Sequence, residues 1–230
     1  MNRKLIVEGI GTFFLVLTVG MTVLGGAGAL AGLAIGSALM VMVYAGGHIS
    51  GGHYNPAVTL GVRLRGGTTT REMLGYFAAQ LVAGILAAIT VRALLPSSVD
   101  VVAGDPDALD LIIAEFLFTF ALVYVVLNVA TAAGTKGNSY FGLAIGFTVT
   151  VGAYAVGPVS GAVFNPAVAL GIMLLGLVDA GDMILLIAIQ LVAGAFGGAV
   201  FRWLDLGDDK PTTATTADQA GLRAAAEPGG

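Results

Sequence analysis

Six apolar runs of about twenty residues, and two of about half that length, constrain this chain more than any other feature. The long runs fall at about 5–26, 30–47, 72–94, 109–131, 138–157 and 181–203. A bilayer core roughly 30 Å thick takes about 20 helical residues to cross. Backbone in lipid must satisfy its own N–H and C=O groups, so each long run is expected to be a transmembrane helix. The short runs, near 55–63 and 165–176, would each reach about 15 Å, half a crossing. Two such pieces meeting end to end would cross once. Composition agrees, with 57% hydrophobic residues, 10% charged residues and a mean hydropathy of +0.94. A soluble domain carries about 25% charged residues. Arg3 and Lys4 precede the first run as in a signal peptide. No Ala-x-Ala-type site closes that run and five more runs follow, so it reads as the first span.

The chain is also internally duplicated. The "NPAV" runs begin at Asn55 and Asn165, 110 residues apart. "LAIG" at 33–36 and 143–146 shares that offset, as do Gln80 in "AQLVAG" and Gln190 in "IQLVAG". "EGIGTFFLV" at Glu8 resembles "EFLFTFALV" at Glu115, offset by 107. The expected repeats are about 5–94 and 109–203, within one domain over 1–204. Three full spans per repeat invert the second repeat relative to the first. With the N-terminus inside, Arg3, Lys4, Arg63, Arg65, Arg71, Lys136, Arg202, Lys210 and Arg223 are cytoplasmic and only Arg92 is not. That asymmetry fits the positive-inside rule and puts both termini in the cytoplasm. The outer loops carry Asp100, Asp105, Asp107, Asp110, Asp179 and Asp182, and the Thr/Ala-rich stretch from Asp205 to 230 reads as a disordered tail.

Proline favours the first helical turn and asparagine is a strong N-cap, so Asn-Pro before apolar residues marks a helix start. "GGHISGGHY" and "GPVSGAVF", which precede the two starts, show little helical character. Irregular backbone at membrane depth is tolerated only when buried in protein or lining a water-filled path. Two re-entrant loops follow, each an extended segment and a half-helix, with their N-termini meeting near the midplane. Two positive dipole ends at one spot disfavour cations. The amides of Asn55 and Asn165 can donate to a passing oxygen while held by their own loops, and loop carbonyls offer acceptors. Such a path suits small neutral molecules and disfavours ions.

Other classes fare worse. With no cysteine there is no thiolate chemistry, and no Ser/His/Asp arrangement stands out, so no enzyme is expected. The net charge of −4 says little about partners and gives no basic footprint for nucleic acid. His48 and His53 have no Cys, Asp or Glu nearby in sequence, so no metal or cofactor is expected. His53 reads as a loop-holding residue and His48 as one at the cytoplasmic mouth. Tyr54 and Phe164, just before each Asn-Pro, read equally as packing or as pore contacts. Inverted repeats with broken helices also occur in secondary transporters. Saturable, gradient-coupled uptake would favour that reading. A non-conducting membrane scaffold would require a closed pore.

The duplicated Asn-Pro-Ala, "GHISGGHYNPAVT" and the glutamate opening each repeat resemble the aquaporin, or major intrinsic protein, family over residues 5–203. The resemblance implies an all-α integral membrane protein: an hourglass of six helices and two half-helices, assembled as a homotetramer in lipid with one pore per subunit. It assigns the pore motifs to Asn55, Pro56, Ala57, Asn165, Pro166 and Ala167. It also implies that Glu8 and Glu115 brace the re-entrant loops. The rival role for them is a proton-coupling carboxylate, since buried intramembrane carboxylates need partners or a function.

One departure bears on substrate. Many family members carry an arginine after the second Asn-Pro-Ala, and Val168 stands there instead. Matching through "LAIG" places the four-residue outer filter at Ile35, Ala153, Ala162 and Val168. That ring should be wide and apolar, and Ala162 with Val168 resembles the filter of certain tonoplast intrinsic proteins, which pass water, ammonia and urea. Leu186 and Ile187, where water channels often have an aromatic pair, suggest a broader pore as well. Glycerol facilitators usually keep the arginine and follow it with aspartate; Ala169 is here. The function expected is a passive channel for water and small neutral solutes in the plasma or cytoplasmic membrane, with a strict water channel as the alternative.

Overall fold

The computed structural model describes residues 2–96, 99, 101, 103–104, 106–204 and 206. The expected tail, with Lys210 and Arg223, and the loop residues Asp100 and Asp105 lie outside the described residues. Each expected run is a helix: α1 (Asn2–Leu24), α2 (Ala31–Ser50), α3 (Pro56–Arg65), α4 (Thr70–Leu94), α5 (Ala108–Thr131), α6 (Phe141–Ser160), α7 (Pro166–Leu175) and α8 (Ala180–Trp203). All but α3 and α7 are long and apolar enough to cross a membrane.

Residues with little helical character in isolation extend α2 and α6. "GGHIS" closes α2 at Ser50, and α6 runs through Pro158 to Ser160. The expectation of irregular chain from Gly46 and from Gly157 is corrected: only 51–55 and 161–165 are non-helical. Glycine and proline propensities are weak priors that tertiary packing overrides. Gly51 and Gly161 end the two helices in left-handed conformations, which glycine adopts without a Cβ clash.

The repeats interlock. α1 packs on α4 and α5 on α8, while α3 lies against α8 and α7 against α4. Each half-helix therefore docks on the last helix of the other repeat. Gly84 on α4 faces the Ala167 carbonyl and Gly194 on α8 faces that of Ala57, and a Cβ at either would overlap that backbone. Close approach is why glycine stands there. α1 and α4 run in the same direction, and Lys4 Nζ lies 2.6 Å from Glu72 Oε1 where both begin. By this topology, all described basic residues except Arg92 lie on the N-terminal face, and Arg92 Nη2 donates to the Leu174 carbonyl at 2.8 Å on the opposite face.

Candidate functional site: two half-helix starts between two cavities

Asn55 and Asn165 cap α3 and α7. The Asn55 side-chain oxygen accepts from the N–H of Ala57 at 2.8 Å and of Val58 at 3.4 Å, and the Asn165 oxygen accepts from Ala167 N–H at 2.9 Å. Pro56 and Pro166 follow at the first helical position, where the missing N–H costs nothing. Each amide also donates across the centre, Asn55 Nδ2 to the Phe164 carbonyl at 2.8 Å and Asn165 Nδ2 to the Tyr54 carbonyl at 2.9 Å. The expectation that each asparagine is held by its own loop is thus half right. The oxygen is held locally and the amide nitrogen by the opposite loop. These crossed bonds fix the two half-helices start to start.

The loops before the asparagines are left-handed at three positions each: Gly51, Gly52 and Tyr54 in one, Gly161, Ala162 and Phe164 in the other. Tyr54 (φ 49), Ala162 (φ 54) and Phe164 (φ 48) are not glycine. Such backbone costs an L-residue roughly 1–2 kcal/mol, so it persists only when over-determined. Two buried carboxylates hold it. Glu8 Oε1 accepts from Ser50 Oγ at 2.6 Å and His53 N–H at 3.0 Å, and its Oε2 accepts from Tyr54 N–H at 2.7 Å and Gln80 Nε2 at 2.9 Å. Glu115 matches this in the second repeat. Its Oε1 accepts from Ser160 Oγ and Val163 N–H, and its Oε2 from Phe164 N–H and Gln190 Nε2, all at 2.8 Å. All four donors point at acceptors, which suits a carboxylate. Both glutamates are fully buried.

Ser50, Ser160, Gln80 and Gln190 complete these braces and had no role assigned from the sequence. Ser50 Oγ also accepts the Gly52 N–H at 3.1 Å, and Ser160 Oγ that of Ala162 at 3.2 Å. The signal was present, because the serines and the glutamines each recur at the offset of 110. The first repeat adds an extension: His53 Nδ1 lies 3.1 Å from Thr59 Oγ1, which also receives Gln80 Nε2 at 3.1 Å. His53 packs edge-on against Tyr76 at 5.2 Å. Val163 and Ala169 occupy the matching positions of the second repeat, so the extension has no counterpart there. Tyr54 is a packing residue, buried with its hydroxyl donating to the Met42 carbonyl at 2.9 Å. Phe164 stacks on Phe118 at 5.5 Å and also borders the cavity described next.

Cavities open on both sides of this centre. The one on the face opposite the N-terminus measures about 480 Å³, and Ile35, Ala153, Ala162 and Val168 all line it beside Asn165. Among the described residues, no charged side chain lines it. Leu186 does not reach it; it is fully buried, and Ile187 packs against the core instead. Any effect of that pair on pore width is thus indirect, through packing behind the wall. The cavity on the N-terminal face measures about 570 Å³ and is bordered by His48, Arg65 and Lys136. Arg65 Nη2 donates to the Thr131 carbonyl, and its guanidinium sits 5.5 Å above the Phe201 ring.

Comparison with known proteins agrees with this architecture. The family model described as Major intrinsic protein matches residues 1–158 and again 107–227. Nodulin-26 of Glycine max is 35% identical over 96% of this chain and 84% of its own length. Aquaporin NIP1-1 of Oryza sativa subsp. japonica is 38% identical over 86% of this chain and 72% of its own. The X-ray structure of the aquaglyceroporin from Plasmodium falciparum superposes with a TM-score of 0.74, covering 87% of this chain and 95% of that one. Its identity is 20%, so it speaks for the fold. These names differ from the tonoplast type to which the ring residues were likened. Whole-chain similarity and the chemistry of four ring positions are separate properties. On its twofold match to the family model and its relatives, the chain belongs to the major intrinsic protein, or aquaporin, family.

Proposed function

We propose that this chain is a passive channel conducting water and small neutral solutes of the ammonia, urea or glycerol class while excluding ions. One observation carries the reading. Two half-helix N-termini, capped by Asn55 and Asn165 and tied by crossed amide bonds, stand between cavities on opposite faces. Each amide nitrogen has a second N–H beyond its crossed bond, which we assign as a donor to the passing molecule. The facing positive dipole ends disfavour cations. Ile35, Ala153, Ala162 and Val168 act as the selectivity ring; without an arginine, they favour width over hydrogen bonding.

The names of the relatives, aquaporins and an aquaglyceroporin, support a channel rather than an enzyme. Residues 1–204 form the channel domain in this reading, with the tail beyond it. The basic N-terminal face is cytoplasmic, so both termini are inside, in the plasma or cytoplasmic membrane. Subunits assemble as a homotetramer, each with its own pore.

Stopped-flow light scattering on proteoliposomes, under water, urea and glycerol gradients, tests the reading. Fast water flux with accelerated relaxation in urea or glycerol is expected. Water flux without solute entry would leave a strict water channel. Saturable uptake coupled to a gradient would replace the reading with a transporter.

A further inference from the structure

The two repeats differ on their outer faces. Between α5 and α8, Phe116 and Phe196 lie 5.7 Å apart, and Phe120 lies 5.5 Å from Phe196. The first repeat keeps a phenylalanine opposite Phe120, at Phe13, but opposite Phe116 and Phe196, at offsets of 107 and 110, it holds Gly9 and Leu86. There a groove of about 440 Å³ runs between α1 and α4, walled by Ile6, Gly9, Ile10, Phe13, Val82 and Leu86 among others. Among the described residues, no charged or hydrogen-bonding side chain lines it. A Cβ on Gly9 would find nothing closer than the Ala79 carbonyl oxygen at 4.0 Å. Ile6, Ile10, Val82 and Leu86 are each at least 50% exposed.

Charge gathers at one end of this groove. Helical periodicity puts Arg3 on the stripe of Ile6 and Ile10, and Arg71 on the stripe of Ala79, Val82 and Leu86. Both arginines sit where their helices begin, on the same membrane face. Both are exposed. Lys4 is engaged with Glu72, whereas Arg3 and Arg71 make no hydrogen bond or ion pair with any described residue. An apolar slot between two helices that each carry an exposed arginine in their first turn is complementary to one kind of molecule. We propose that it holds an acyl chain of an anionic diacyl phospholipid, with Arg3 and Arg71 gripping the headgroup phosphate. Guanidinium binds phosphate through paired N–H donors, and each basic residue near an anionic lipid surface adds about 1 kcal/mol, about fivefold in affinity.

Native mass spectrometry of the full chain tests this, with phosphatidylglycerol and phosphatidylcholine of identical acyl chains as probes. Phosphatidylglycerol should be retained in preference to phosphatidylcholine. Arg3→Gln and Arg71→Gln should each weaken its retention about fivefold. Gly9→Phe with Leu86→Phe, which copies the second repeat's own packing, should abolish the preference. Equal retention of the two lipids overturns the proposal, as does undiminished phosphatidylglycerol binding in the filled variant. A change of oligomeric mass on filling the groove would assign it to a second copy of the chain and also overturn it. The arginine variants, on exposed positions, keep the test decisive should the filled variant fold poorly.

Discussion

Replacing Glu115 by glutamine separates loop bracing from proton coupling. The carboxylate receives four donors, from Ser160, Val163, Phe164 and Gln190. Glutamine keeps the shape but swaps one acceptor oxygen for a donor. If the new NH2 takes the Oε1 position it faces the Val163 N–H, and Ser160 can only partly adapt by turning its hydroxyl. If it takes the Oε2 position, Gln190 can rotate to present its own unpartnered oxygen, yet the Phe164 N–H is stranded. Either way one buried backbone donor loses its partner, at about 1–3 kcal/mol, and the remaining bonds lose charge assistance worth about 1 kcal/mol each. The sum over the stranded donor and the three remaining bonds is about 4–6 kcal/mol, and at roughly 2–4 °C per kcal/mol for a chain this size the midpoint should fall by about 8–24 °C. The loop backbone at Ala162 and Phe164, already left-handed, would relax, and water permeability would fall with it. Thermal unfolding in detergent and stopped-flow flux read both effects. The double variant with Ser160→Ala should destabilise by less than the sum of the singles, because the two share one bond. An unchanged midpoint together with loss of pH-dependent transport would refute bracing and restore the proton-coupling role.

Val168→Arg brings a large cation to a cavity wall that holds no charged side chain among the described residues. Urea and glycerol flux should drop roughly tenfold, for a barrier of about 1.4 kcal/mol, while water flux persists; proteoliposome flux assays read this. Asn165→Asp keeps the cap on Ala167 but sets a carboxylate against the Tyr54 carbonyl. The midpoint should fall by an amount equivalent to about 1–3 kcal/mol, and a sodium or proton leak should appear in liposomes holding an ion gradient; the wild type should show none. Gly194→Ala drives a Cβ into the Ala57 carbonyl and should destabilise by about 1–3 kcal/mol. Gly9→Ala, mid-helix in α1 with nothing nearer than the Ala79 carbonyl oxygen at 4.0 Å, should be neutral or stabilise by up to about 1 kcal/mol; thermal unfolding of both variants checks the contrast.

What the sequence determined by itself is one-dimensional: run lengths, helix starts and repetition. Lipid forbids unsatisfied backbone, so six long apolar runs dictate six helices, and Asn55-Pro56 and Asn165-Pro166 dictate two more starts. The offset of 110 paired the halves before any coordinate. Even Glu8 and Glu115 were legible, because a carboxylate inside an apolar run needs a partner. Tertiary structure decided what depends on elements distant along the chain. Gly46 to Ser50 and Gly157 to Ser160 are helical because packing outweighs local propensity. Asn55 and Asn165 bond across to the opposite loop, a pairing over 109 and 111 residues invisible to local capping rules. Ser50 and Gln80 converge on Glu8 from α2 and α4, and only the fold brings those helices together. Leu186 and Ile187, standing where water channels often have an aromatic pair, suggested a broader pore, yet Leu186 is fully buried in the core, since a sequence match assigns a place on a helix without the rotation that sets which way it points.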